Sequence, residues 1–275
     1  MLERSGISDI LEFQLPPSDN YRIYYEKLSL SGLEEMHNYS KDERFYEFLE
    51  FKPFTNIEET KEYIKKLLER MKKIDNLINC SYWFIRDKEN KNLIGTAGLL
   101  NLDYERSSVE WGFGIDPNLW GLGYILEIEE TLKHFVFEKL KLNRLYGKTM
   151  INNKRTIDSL IATGMINEGI AKDFYCKNNK FIDAWLYALT KKDYINQLKN
   201  VVRNTNAELN EIVKIVQKII FQSEVDINTS MENNLDWDSM NHMLIISAIE
   251  DKFNLKFTPS EITKATSIRK INDII

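Results

Sequence analysis

Residues 110–127 read Glu-Trp-Gly-Phe-Gly-Ile-Asp-Pro-Asn-Leu-Trp-Gly-Leu-Gly-Tyr-Ile-Leu-Glu, and this stretch decides the fold. Val109, Trp111, Phe113 and Ile115 alternate with Glu110, Gly112 and Gly114. A period of two predicts a strand over 109–115, with its second face almost bare of side chains. The turn Gly121-Leu122-Gly123 follows, and then a helix is expected from about 125 to 140. A strand that passes through Gly-x-Gly into a helix leaves backbone N–H groups at the helix N-terminus, where phosphate binds favourably. The same dipeptide spacing also serves as an ordinary tight turn.

Working outward, residues 57–73 place apolar side chains at 57, 63, 64, 67, 68 and 71, a helical stripe. Residues 81–86 and 93–100 read as strands joined by a polar turn at 87–92. Downstream, 144–150 is a strand, 156–163 a helix and 181–189 a last strand, while Tyr21, Tyr24 and Tyr25 read as strand core. From 207 the pattern changes. Leu209, Ile212, Val213, Val216, Ile219 and Ile220 trace one helical face, and Asp238 is suited to cap a helix running to Phe253. Acids outnumber bases after Thr205, which marks this quarter as a separate unit. The expected domains are 1–195, a linker at 196–206, and 207–275.

The 275 residues suffice for two domains, and a composition of 43% hydrophobic and 29% charged residues is that of a folded globular protein. Cys80 and Cys176 form no CxxC, which excludes a disulfide framework and a cysteine-rich zinc site. His37, His134 and His242 offer no pair at helical ligand spacing, so no metal site is expected. A net charge of −5 leaves no basic footprint for nucleic acid. Residues 1–6 lead into no apolar core, and no apolar run approaches the ~18 residues of a membrane span. The expectation is a soluble, cytoplasmic chain.

Beyond the turn come Asn153-Lys-Arg-Thr156-Ile-Asp-Ser-Leu160-Ile-Ala-Thr-Gly164-Met165, then Glu168-Gly169 and Asp183. Together with 110–127, these residues resemble the GNAT acetyltransferase superfamily, in the branch that acetylates ribosomal-protein N-termini and many small amines. The family's CoA signature, Gln/Arg-x-x-Gly-x-Gly/Ala, reads here Trp120-Gly121-Leu122-Gly123-Tyr124-Ile125. Its Asn-x-x-Ser and Gly-Phe elements read Asn153-x-x-Thr156 and Gly164-Met165. The resemblance covers about 10–192. It implies an α/β fold with a mixed central sheet and flanking helices, and acetyl-CoA or another acyl-CoA as donor.

In that family the pantetheine arm lies between two splayed strands and pairs with backbone like an added strand. The sparse face at Gly112 and Gly114 suits such an approach. A strand N–H would polarise the thioester carbonyl, and a base must take the amine's proton. The resemblance implies Phe113, Gly114, Ile115, Trp120, Gly121, Leu122, Gly123, Tyr124, Ile125 and Asn153 as donor-binding residues. Glu110 is the candidate base, and Thr156 the candidate partner of pantetheine or of the leaving thiolate. Plainer readings stand beside these: a salt-bridged strand carboxylate for Glu110, a helix hydroxyl for Thr156, a helix cap for Asn153, and turn packing for Trp120 and Tyr124. Ile125 departs from the small residue preferred beside the CoA diphosphate, and Leu160 fills the slot of a tyrosine acid. Cys176 reads as incidental.

Residues 235–253, Leu-Asp-Trp-Asp-Ser-Met-Asn-His-Met-Leu-Ile-Ile-Ser-Ala-Ile-Glu-Asp-Lys-Phe, resemble the acyl carrier protein family, whose Asp-Ser-Leu opens the second helix. Here the triplet is Asp238-Ser239-Met240. The resemblance spans about 207–275 and implies a small all-α, four-helix carrier with 4′-phosphopantetheine attached to Ser239 by a phosphopantetheinyl transferase. Asn241 and Leu244 stand where many carriers place acids, which points to a dedicated partner. His242 reads as a surface or partner contact.

Combined, the two resemblances imply an acyltransferase that moves an acetyl or other acyl group to the amine of a small molecule. An amino sugar or a specialised metabolite is within reach of such a fusion. The thioester would be on CoA or on the Ser239 arm, the latter requiring an intramolecular GNAT–carrier contact. The alternatives are a loading protein that transfers acyl from CoA onto Ser239, and a non-enzymatic carrier with a docking module.

Overall fold

The computed structural model describes residues 3–222 and 224–275, with 200–206 described by backbone alone. The chain divides into two compact units, Met1–Ile195 and Asn196–Ile275. In the first, the elements run α1 (Arg4–Phe13), β1 (Ile23–Lys27), α2 (Leu33–Ser40), α3 (Ile57–Arg70), β2 (Ser81–Asp87), β3 (Leu93–Asp103) and β4 (Ser108–Ile115). They continue through α4 (Tyr124–His134), β5 (Arg144–Met150), α5 (Lys154–Ala162), β6 (Ile166–Lys177) and β7 (Lys180–Thr190). The strands form one seven-stranded sheet in the order β1-β2-β3-β4-β5-β7-β6.

All neighbours in this sheet are antiparallel except β4 and β5. That parallel pair is short: Ser108, Val109 and Glu110 face Arg144, Leu145 and Tyr146, and there the pairing ends. The next residue on each strand is Trp111 and Gly147. A Cβ built on Gly147 would lie 2.6 Å from the Trp111 indole nitrogen, so the ring rests on bare β5 backbone. Trp111 is buried, and the alternation read from the sequence holds: Val109, Trp111 and Ile115 are buried and Phe113 half-buried. Around them Trp83, Ile128, Leu132, Phe135 and Leu145 build the main core against α4.

The strands at 81–86, 93–100 and 144–150 and the helix at 57–73 form as expected. The helix after the glycine turn begins at Tyr124, runs regularly to His134, and continues as a π-helical turn over Phe135–Lys139. The sequence reading missed α1, α2 and β6. Strand β6 is largely exposed and carries register shifts at Asn167/Gly169 and Ala171/Tyr175, so no clean alternation marks it.

The segment read as a linker, 196–206, is helical and lies inside α6 (Lys191–Ile220). In the second unit α7 (Ser239–Phe253), α8 (Pro259–Lys264) and α9 (Ile268–Asn272) follow. Ile212, Val216, Trp237, Ile245, Ile249 and Ile268 share one core there. His242, expected at the surface, is buried in this unit. Its Nδ1 accepts from Trp237 Nε1 at 3.3 Å and its Nε2 meets the Ile262 carbonyl at 3.0 Å, the pattern of a tautomer protonated on Nε2.

Among the described residues, no helix is long and apolar enough to cross a membrane, and no group of three or more His, Cys, Asp or Glu is placed to hold a metal ion.

The Trp111–Gly147 contact leaves no room for a methyl group. Gly147→Ala is expected to destabilise the first unit by about 1–3 kcal/mol, the usual penalty of overpacking a buried contact. Chemical denaturation followed by tryptophan fluorescence measures it, and an unchanged midpoint would show that the indole can move aside.

Candidate functional site

Where β4 and β5 part, a groove of about 400 Å³ opens. One wall is the end of β4, with Phe113, Gly114 and Ile115. A second is the glycine turn with the start of α4, contributing Trp120, Gly121, Gly123 and Ile125. A third is the first turn of α5, with Asn153 and Thr156. Pairing to β5 stops at Glu110, so the β5-facing backbone groups of the rest of β4 have no ladder partner from that strand. Successive strand N–H groups point to alternate edges, so some of these donors face the opening.

The glycine turn is a conformational requirement. Gly121 and Gly123 have φ of +80° and +83°, values that favour glycine, while a Cβ on Gly121 would meet nothing within 4 Å. Gly123 caps α4 with no side-chain bond, so the first N–H groups of the helix carry no internal cap. The turn is held by Arg22. Its Nη2 donates to the Leu122 carbonyl at 2.9 Å, its guanidinium lies 4.4 Å over the Tyr124 ring, and it pairs with Glu127 at 2.5 Å.

Tyr124 and Leu122 therefore do not line the groove. The Tyr124 hydroxyl donates to Asp87 at 2.7 Å, and that bond holds the Asp87 carboxyl below its usual range. The Leu122 side chain is exposed. Ile125 lines the groove and also packs on the main core, so its branched side chain stands at the turn as expected. Leu160, in the slot of the tyrosine acid, is buried in that core.

The bare face of β4 is not open along its length. A Cβ on Gly114 would sit 2.5 Å from the Phe45 ring, and one on Gly112 would sit 3.2 Å from Leu100. These glycines make room for side chains, and Phe45 becomes a groove wall together with Phe48 and Leu49. Segment 43–49 carried no periodic signal to reveal this. Trp120 is fixed by a bond from Nε1 to the Ile115 carbonyl at 3.1 Å.

Glu110 is buried and outside the groove lining; it pairs with Lys148 at 2.8 Å and accepts from Asn101 Nδ2 at 2.8 Å. Asn153 caps α5, accepting from Thr156 N at 3.4 Å, while its Nδ2 donates to Thr149 at 3.0 Å. The Thr156 hydroxyl makes no hydrogen bond among the described residues.

Behind the groove, Glu129 ties α4 to α5. It is fully buried and accepts from Ser159 Oγ at 3.0 Å and from Thr163 Oγ1. Burial pushes its carboxyl up to about 7, against the opposing pull of those bonds and of Lys133. Ser159 itself lines the groove.

In the second unit Ser239 is the first residue of α7 and is exposed. Asp238 accepts from Met240 N at 3.0 Å and Asn241 N at 2.8 Å, the cap expected from sequence. The first turn beyond that cap holds no acid, and its exposed neighbours are Met240, Met243 and Leu244. Ser239 thus stands exposed at the positive end of the α7 dipole, where an anion is favoured.

Residues 22–166 match the family described as Acetyltransferase (GNAT) domain, and 210–275 match Phosphopantetheine attachment site. An N-acetyltransferase of Bacillus licheniformis named p20, itself uncharacterised, is 25% identical over 173 residues, covering 63% of this chain and 95% of that one. The spermidine N(1)-acetyltransferase of Vibrio cholerae is 20% identical over 178 residues, covering 65% and 98%. A Bacillus anthracis GNAT acetyltransferase structure aligns with TM-score 0.56 and 18% identity, covering 65% of this chain and 99% of its own. The Vibrio cholerae spermidine N-acetyltransferase in complex with CoA and spermine aligns at 0.54 and 20%, covering 63% and 98%.

Glu129 gives stability a pH dependence of known sign. Between about pH 4.5 and 7 the folded chain keeps a proton that the unfolded chain has released, so stability falls as pH rises through that window and levels off above it. Glu129→Gln has no such proton. Its stability relative to wild type is expected to rise by about 2 kcal/mol between pH 5 and pH 8. Denaturation curves at both pH values test this, and parallel shifts in the two proteins would remove Glu129 as the source.

Proposed function

We propose that this chain, which belongs to the GNAT acetyltransferase family, moves an acyl group from a pantetheine thioester to the amine of a small molecule such as an amino sugar or a specialised metabolite. N-acyl transfer is the family's chemistry; the donor and the acceptor are our reading. One observation carries it: a groove at the parting of β4 and β5, in a chain whose other unit exposes a serine on the first residue of a capped helix. The thioester is held on CoA or on Ser239. The Vibrio cholerae relative is a spermidine N(1)-acetyltransferase, which supports an amine as acceptor class.

This chain's residues divide the work as follows. Donors on the open edge of β4 polarise the thioester carbonyl, which strengthens as charge develops on its oxygen. The uncapped start of α4 holds phosphate. Glu110, the carboxylate at the last paired step of β4 and β5, takes the amine's proton, directly or through water. Thr156, whose hydroxyl is uncommitted on the groove wall, serves the departing thiolate.

Ser239 is the attachment point for 4′-phosphopantetheine, which supplies a thiol on a long arm when it is bound. Incubation with CoA and a broad-specificity phosphopantetheinyl transferase is expected to add one such group to wild type and none to Ser239→Ala. Intact mass spectrometry decides it, and an unmodified wild type across several transferases would end the carrier reading.

Glu110→Gln is expected to lower kcat by at least about 100-fold with donor affinity retained, since general-base help is typically worth ~10²–10⁴-fold. Wild-type turnover across pH in the variant would leave Glu110 as the partner of Lys148 and nothing more.

A further inference from the structure

We propose that Arg155 is the residue by which the groove reads the phosphate of its donor, with Trp120 positioning it. The proposal rests on the donor groove assigned above and adds a residue that no family motif marked.

Arg155 stands in the first turn of α5, on the groove wall, with its guanidinium carbon 3.6 Å from the centroid of the Trp120 ring. At that distance the planar cation lies on the indole face. Trp120 cannot drift, because its Nε1 is bonded to the Ile115 carbonyl and its ring packs on the main core. Arg155 is exposed and lines the same groove as Gly121 and Gly123, which precede the start of α4, a helix with no side-chain cap.

The charge on Arg155 is not balanced within the chain. Among the described residues it has no hydrogen bond and no ion pair. The other charged side chains of the groove are balanced: Arg44 pairs with Asp42, and Asp158 pairs with Lys154. A cation in the first turn of a helix also opposes the helix dipole, which favours anions there. No acid stands in that turn of α5 to offset it. Two helix starts and one uncompensated guanidinium therefore converge on one groove, and the ligand that satisfies all three is an anion. Arginine's planar fork matches phosphate oxygens by two parallel bonds.

The donor's own chemistry narrows that anion to the phosphate next to pantetheine, which CoA and a carrier-borne arm share. The test uses the full chain with Ser239→Ala, so that the protein is not itself modified, and titrates it with pantetheine, 4′-phosphopantetheine and CoA by calorimetry. Arg155→Gln is expected to weaken 4′-phosphopantetheine about 10-fold, the scale of a charge-assisted hydrogen bond near the surface, and to leave pantetheine unchanged. Arg155→Lys is expected to recover part of that loss, and added salt to reduce the difference between the proteins.

Single-turnover transfer from the acylated holo-chain separates the two sources. A loss on CoA alone assigns the phosphate to CoA, and a loss in both assays assigns it to the shared arm; either result supports Arg155. Equal loss on pantetheine and 4′-phosphopantetheine would make Arg155 a packing partner of Trp120 and overturn the proposal. Unchanged binding of both would also overturn it. If wild type binds none of the three ligands, the donor-groove reading itself fails, an outcome distinct from failure of Arg155 alone.

Discussion

The first unit depends on a parallel pairing that stops early. β4 and β5 meet over Glu110 and Tyr146 and no further, and the Trp111 indole lies on Gly147 at the next step. Parallel neighbours normally continue their ladder, because unpaired backbone groups are expensive once buried. Here the open edge instead faces a groove, where a ligand can use those groups. The rest of the sheet is antiparallel and closes the structure on both sides, so the gap stays at one place. A single crowded contact thus marks where the β4–β5 ladder stops and the strands part.

The turn above this gap is built by constraint from both sides. Positive φ at Gly121 and Gly123 brings the chain from strand to helix in a few residues. Arg22 then ties the Leu122 carbonyl, the Tyr124 ring and Glu127 together. The pairing with Glu127 has a second consequence. A free acid in the first turn of α4 would repel an anion at its N-terminus, and Arg22 offsets that charge. Below, the buried Glu129 fastens α4 to α5 through Ser159 and Thr163, so the two helix starts that border the groove are held in fixed relation.

Much of this was legible in the sequence, for reasons that can be named. The strand at 109–115 alternates strictly and the glycines that follow mark a turn, so strand, turn and helix were readable from local pattern, whereas a tight turn and a phosphate-binding one look alike at that level. Asp238 as cap of α7 follows from the same kind of local chemistry. The missed parts depend on contacts between distant residues. Phe45 belongs to a short 3₁₀ turn with no period, and its place on Gly114 exists only in three dimensions. Arg155 carries no signal of its own in the sequence, because its place over the Trp120 ring exists only in three dimensions. His242 looked exposed because its helix position carried no sign of the Trp237 and Ile262 partners that bury it. Glu110 was readable as a lone carboxylate on a glycine face, but Lys148 and Asn101, which hold it, come from the neighbouring strands.

The helix starts differ in the charge of their first turns; α4 carries Glu127 there, paired with Arg22. Helices α2, α3 and α8 carry Glu34 and Glu35, Glu58 and Glu59, and Glu261 in their first turns, the usual match to the dipole. Helices α5 and α7 carry none. Absence of acid is not enough to mark a site, since α1 and α9 lack it too. The difference lies in how the cations there are answered. Arg4 of α1 is neutralised by Glu105, while Arg269 of α9 donates to the neutral Asn228 amide oxygen at 3.0 Å, which orients it without neutralising it. In α5, Lys154 meets Asp158, while Arg155 meets only the face of an aromatic ring. A ring orients a guanidinium but cannot neutralise it, so the first turn of α5 keeps a net positive charge on the groove wall. An anion is the kind of group that such a charge attracts, whereas α7 has no cation in its first turn and opens on the carboxylate cap of Asp238.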